Sequence, residues 1–141
     1  MLPRCNRDQS TGMPDRPTLV KVFLADDSAL IRDRVAAMLS ARAMNIVGQA
    51  ETPQGSIDGI LATRPDVVVL DVQLEGGSGL QVLRAVRLAV PDIAFVAFSN
   101  NSDPAYRKRY LGEGADSFLD KNSEFDQLAQ AVLNALRHPV H

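Results

Sequence analysis

Residues 67–79 read VVVLDVQLEGGSG. Four branched apolar residues end on a carboxylate, Asp71, and the chain then passes through Gly76 and Gly77 into a segment with Leu83, Val86 and Val90 at helical spacing. This is a strand leading into a helix. An unbroken apolar run, as opposed to an alternating one, predicts a strand covered on both faces, the condition of a parallel sheet flanked by helices. The same unit repeats on either side. Candidate strands are 19–25, 45–50, 66–70, 93–98 and 116–119. Between them run apolar stripes: Ile31, Val35, Met38 and Leu39, then Ile57, Ile60 and Leu61. Pro53 behind Thr52 and Pro104 behind Asp103 read as first-turn prolines after capping residues. Ser123 is the expected cap of a last helix that buries Phe125, Leu128, Ala129, Val132 and Leu136. Five βα pairs of this kind predict an α/β, doubly wound (βα)5 domain.

Size and charge agree. The chain has 141 residues, 45% of them apolar, enough for one domain with a substantial core. Fifteen basic against seventeen acidic residues give a formal charge of −2, which argues against direct DNA binding through a net basic face. The lone Cys5 excludes an intrachain disulfide, and no apolar run reaches the roughly 18 residues of a membrane span. No signal-peptide pattern is present, so a cytoplasmic location is expected. Residues 1–17 mix prolines, Gly, Ser and charge without period and read as a disordered lead; 18–138 form the expected domain and 139–141 a tail.

The chemistry lies in where the polar residues fall. Asp26 and Asp27 follow the first strand, Asp71 the third and Ser99 the fourth, while Lys121 closes the fifth. Right-handed crossovers bring the C-terminal ends of parallel strands to one sheet edge, where ligands bind at the topological switch point. Taken singly, each has an ordinary explanation, since such residues cap helices and form turns. Taken together they do not: two carboxylates at 4 Å repel by about 4 kcal/mol at an effective dielectric near 20, and a third adds to this. A divalent cation plus Lys121 offsets three carboxylates, and an all-oxygen set suits Mg²⁺ better than zinc. Mg²⁺, a carboxylate nucleophile, a hydroxyl and a lysine are the parts that phosphoryl transfer uses. Asp71, ending the expected central strand, is the best nucleophile and would become an aspartyl phosphate.

The acidic pair in VFLADDS, the acceptor in VVVLDVQLEGGSG, the hydroxyl in FVAFSNN and the lysine in ADSFLDK resemble, in order and spacing, the receiver domain of two-component response regulators. The resemblance covers essentially residues 18–137. It implies a flavodoxin-like parallel sheet of order 2-1-3-4-5 and phosphorylation of Asp71 by a histidine kinase or histidine phosphotransfer protein. It further implies Mg²⁺ held by Asp26, Asp27, Asp71 and the backbone carbonyl of Gln73, with Ser99 and Phe118 as the pair that changes on phosphorylation. Such a domain is a regulatory phosphoacceptor that assists its own phosphorylation and dephosphorylation. It is not an enzyme in the ordinary sense. Core packing on alternating strand positions is the alternative reading of Phe118.

Three positions depart from the family pattern: Asn100 after the hydroxyl, Glu75 where proline is frequent, and Asn122 after the lysine, which disfavours a cis bond there. Gly76 and Gly77 are expected to loosen their loop. A flavin site would want backbone amides where two acids stand, a dehalogenase-type phosphatase needs an Asp at Gln73, and no P-loop motif is present. The remaining rival is a receiver fold that works by protein contact without being phosphorylated. Arg107, Lys108 and Arg109, flanked by Tyr106 and Tyr110, form a basic run in the fourth helix. It is either a solvated face or part of a surface for a downstream protein or for phosphorylation-dependent self-association. With almost nothing after the fifth helix, the expectation is a switch without an attached effector.

Overall fold

The computed structural model describes residues 19–101 and 103–137. Five parallel strands, β1 (Lys21–Ala25), β2 (Asn45–Ala50), β3 (Val67–Leu70), β4 (Ala94–Ser99) and β5 (Ser117–Asp120), form one sheet. Its order is β2-β1-β3-β4-β5, so β3 is central and the order reverses beside β1. The helices are α1 (Ala29–Ser40), α2 (Pro53–Thr63), α3 (Gly79–Ala89), α4 (Pro104–Gly112) and α5 (Leu128–Arg137). This is the flavodoxin-like arrangement expected from the sequence.

The unbroken apolar runs divide by the two-residue period of a strand. In β3, Val68 and Leu70 join a core with Ile60, Val82, Leu83 and Val86, whereas Val67 and Val69 face Val35, Leu39, Leu128 and Val132. Phe118 and Leu119 divide between the same two cores. Each face is therefore sealed by its own helix layer. The ring of Phe23 fills the gap between β2 and α2, where Gly48 and Gly59 leave no room for a Cβ against it.

Against the sequence reading, β1 starts two residues later, β2 keeps its expected bounds, and β3, β4 and β5 each start one residue later. Asp66 and Asp116 stand just before β3 and β5, where Asp66 Oδ2 accepts from Lys21 N at 2.9 Å and Asp116 Oδ2 from Phe95 N at 2.8 Å. Their carboxylates pin neighbouring strands. Ser28, Thr52 and Asp103 cap α1, α2 and α4 through their side-chain oxygens, the last two ahead of a first-turn proline.

Three expectations are corrected. Ser123 does not cap the last helix: Asp120 Oδ1 accepts from Asn122 N at 2.6 Å and Ser123 N at 3.2 Å, closing a turn around a stronger, charged acceptor. The chain then enters α5 through a 3-10 turn, Phe125–Gln127, so Phe125 is only half-buried and Ala135, not Leu136, completes the buried stripe. The glycines after Glu75 do not loosen their loop either. Gln73–Leu74 pairs antiparallel with Gly77–Ser78, Gly76 takes the turn at φ 84°, and Glu75 N donates to Glu51 O at 2.9 Å. Among the described residues there is no cis peptide bond.

The first residue of α3 determines how closely that helix approaches β3. A Cβ at Gly79 would collide with the backbone oxygen of Asp71 and meet Leu70 Cγ at 3.1 Å. The neighbour is backbone and cannot rotate away. Gly79→Ala is therefore expected to destabilise the fold by about 1–3 kcal/mol, the usual cost of overpacking, measured as a lower denaturant midpoint at unchanged m.

Candidate phosphoacceptor site

β1 and β3 are adjacent, with Ala25 in register with Leu70, so the residues that follow them meet at the sheet's C-terminal edge. Carboxylate oxygens of Asp26, Asp27 and Asp71 lie within 4.8 Å of one another. Asp26 and Asp71 are buried, while Asp27 is exposed. Backbone bonds hold the frame: Asp26 N donates to Ala50 O at 3.0 Å and Asp71 N to Ala25 O at 2.9 Å. Asp26 is further fixed by Ser28 N, which donates to its Oδ1 at 2.9 Å, and by Arg32, whose Nη1 donates to its carbonyl at 2.5 Å.

Lys121 reaches this edge from β5. Its buried Nζ stands 2.6 Å from Asp26 Oδ2 and 3.1 Å from Asp71 Oδ2, bridging the two carboxylates. The strand pairing carries it there: Lys121 N donates to Ser99 O at 2.8 Å, which places Ser99 and Lys121 side by side at the ends of β4 and β5. Ser99 is buried, and its Oγ accepts from Asn101 N at 2.9 Å. That bond leaves the hydroxyl able to donate. Asn100, the residue in the family's small position, is exposed. Gln73 N donates to Asp71 Oδ1 at a long 3.4 Å, and the Gln73 side chain is exposed at the edge of the site.

Three carboxylates against one ammonium leave the site two charges short of balance. Burial and the nearby Asp26 charge push the Asp71 carboxyl up from 3.8 to about 6, against the opposing pull of Lys121. The donor set is all oxygen, and the missing charge is that of one divalent cation, so these residues fit Mg²⁺. A stability consequence follows. Between pH 4 and 6 the folded Asp71 binds a proton that the unfolded one has released, so the native state loses stability as pH rises through that window. The penalty is absent below about pH 4 and reaches about 3 kcal/mol above pH 6 in metal-free buffer. Urea unfolding in EDTA at several pH values, compared with Asp71→Asn to cancel the other carboxylates, is expected to show this difference and its reduction by Mg²⁺.

Phe118 is 2% exposed, its ring edge-on to Tyr110 at 6.1 Å, and its carbonyl accepts from Arg107 Nη1 at 2.9 Å. The basic run of α4 is thus divided. Arg107 is tied inward, Arg109 lies 3.7 Å from Glu113, and Lys108 is exposed. Sequence reasoning missed Arg32 and Tyr110. Arg32 sits in α1 six positions after Asp26, a separation that marks no shared helix face. Tyr110 was legible only as a flank of the basic run.

The comparisons with known proteins bear on the family and the fold. Residues 22–133 match the family model described as the response regulator receiver domain. The response regulator GacA of Pseudomonas syringae pv. syringae is 30% identical over 115 residues, 81% of this chain and 54% of that protein. The transcriptional regulatory protein NarL of Mycobacterium tuberculosis is 33% identical over 123 residues, 86% of this chain and 57% of that protein. The chain thus spans a little over half the length of these relatives. The solved signal receiver domain of M. tuberculosis NarL superposes with a TM-score of 0.80 at 34% identity, covering 86% of this chain and 98% of that one. The response regulator domain of Thermotoga maritima CheB shares the fold at TM-score 0.75 and 22% identity, over 86% of this chain and 96% of that one. With the family model matched along most of the chain and a receiver domain superposed across it, the protein belongs to the receiver domains of two-component response regulators.

Proposed function

We propose that the chain is a phosphorelay switch that accepts a phosphoryl group on Asp71 from a phosphohistidine of a histidine kinase or phosphotransfer protein. The observation that carries this is the charge arrangement: two buried carboxylates share one lysine, with a third carboxylate beside them. Such a pocket is short of positive charge before the donor arrives and has a cationic donor aimed at the acceptor oxygen. In the transfer, an Asp71 oxygen forms a bond to phosphorus as the bond from phosphorus to the donor's imidazole nitrogen breaks. The electron pair leaves with the imidazole, which takes up a proton. Lys121 holds a phosphoryl oxygen, and Ser99 donates to another. Mg²⁺, held by Asp26, Asp27, Asp71 and the Gln73 carbonyl, would supply the positive charge that draws density from the phosphoryl oxygens.

On this reading the protein promotes its own phosphorylation and dephosphorylation and otherwise acts by changing shape. Ser99 turns toward the phosphoryl group and Phe118 repacks behind it, altering the face made by α4, β5 and α5. That face would meet a downstream protein or a second copy of the chain, without direct DNA contact by these residues, in the cytoplasm. Among the described residues no helix is long and apolar enough to cross a membrane.

Intact-mass measurement after incubation with Mg²⁺ and a small phosphoramidate donor tests the reading. One added phosphoryl mass, lost when EDTA replaces Mg²⁺, is expected. No added mass at any donor concentration would favour a receiver fold that works by contact alone.

A further inference from the structure

α4 is loosely held. From Pro104 to Arg109 every side chain is exposed, as are Leu111 and Gly112, and Tyr110 is the helix's one buried side chain among the described residues. Its ring belongs to the buried core, and its phenol ends there on a backbone carbonyl. The hydroxyl donates to the carbonyl of Val72 at 3.2 Å. Val72 lies between Asp71 and Gln73, the two residues proposed to carry the acceptor carboxylate and a metal-facing carbonyl. The same ring packs edge-on against Phe118, which has no hydroxyl of its own. Burial pushes the Tyr110 hydroxyl up to about 12, so it stays protonated and remains a donor at any working pH.

The geometry points to Tyr110 as a positioning residue that ties α4 to the acceptor loop, so that one hydrogen bond, from its hydroxyl to the Val72 carbonyl, links the placement of α4 to the reactivity of Asp71. The inference rests on the proposed role of Asp71 and adds the route by which that role reaches the output face. A shift of the Val72 carbonyl when a phosphoryl group settles on its neighbour weakens or breaks the tie and releases α4. A groove of about 570 Å³, lined among others by Val72, Leu80, Tyr106 and Arg109, opens beside the contact and gives α4 room to move. By linkage, a partner that holds α4 in one position changes the affinity of the site for a phosphoryl group by the same factor.

Tyr110→Phe tests this, because it keeps the ring on Phe118 and removes only the hydroxyl. In metal-free, unphosphorylated protein the variant is expected to speed amide hydrogen exchange along 105–112 by roughly two- to tenfold, the worth of one neutral hydrogen bond, with exchange in Val67–Leu70 unchanged. Adding Mg²⁺ and beryllofluoride, a mimic of the bound phosphoryl group, is expected to speed α4 exchange in the wild type and to add little in the variant. A merely structural tyrosine would instead lower protection of α4 and β3 together and leave the beryllofluoride response intact. Equal α4 exchange in the two metal-free proteins overturns the inference, as does an equal beryllofluoride response. If the wild type itself gains no phosphoryl mass from a phosphoramidate, the role of Asp71 falls first, and the link to its reactivity falls with it.

Discussion

Asp71→Asn is expected to abolish phosphoryl incorporation from a small phosphodonor while leaving the fold intact. The amide keeps the shape of the carboxylate but has no anionic oxygen to attack phosphorus, so the loss is of the reaction itself. The side chain already bears a penalty for being charged: it is buried, beside Asp26, and titrates near 6. Replacing it with a neutral group removes that penalty, so in metal-free buffer at pH 7 the variant is expected to unfold at higher urea than the wild type, by up to about 3 kcal/mol. Lost acceptor function together with gained stability separates a residue held for chemistry from one held for packing. Intact mass reads the first and a urea titration the second. Phosphoryl mass equal to wild type in the variant would place the acceptor elsewhere.

Lys121→Met is expected to have the largest combined effect. The ammonium is buried between Asp26 and Asp71, and its removal leaves two buried carboxylates facing each other without their shared partner. Breaking a buried pair from one side costs about 3–5 kcal/mol, well beyond the worth of a surface ion pair. Because the cost is electrostatic, saturating Mg²⁺ is expected to recover most of it, whereas a packing defect would not respond to the ion. The phosphorylation rate should not recover. A preorganised cationic donor aimed at a transferring group contributes about 10²–10³ in rate, and a metal already present in the wild type does not replace it. Urea unfolding with and without Mg²⁺, alongside single-turnover phosphorylation, measures both. Stability unchanged in EDTA would show that Lys121 does not carry the charge balance of the site.

Much of this was legible before the structure. The unbroken run VVVL, ending on Asp71, required a strand covered on two sides, and five such runs between helical stripes required a doubly wound sheet. The positions of Asp26, Asp27, Asp71, Ser99 and Lys121 at strand ends were enough to place them on one edge, because connection handedness leaves no other arrangement. Local reading failed where a stronger acceptor was near. Ser123 caps no helix because its amide is drawn into the turn that Asp120 closes, and the Gly76–Gly77 loop was drawn into a hairpin by backbone pairing that composition does not reveal.

The sequence by itself determined the strand and helix pattern and the common sheet edge of Asp26, Asp27, Asp71, Ser99 and Lys121, since these follow from period, spacing and chain handedness. Only the tertiary structure decided that Lys121 bridges Asp26 and Asp71, that Arg32 braces the carbonyl of Asp26, that Arg107 donates to the Phe118 carbonyl, and that Tyr110 reaches across to the backbone beside Asp71. The reason is distance along the chain. Lys121 and Asp71 are 50 residues apart, and Tyr110 and Val72 are 38 apart. Period and capping rules act over a few residues, whereas the partner of a buried polar group is set by which strands and helices happen to close around it.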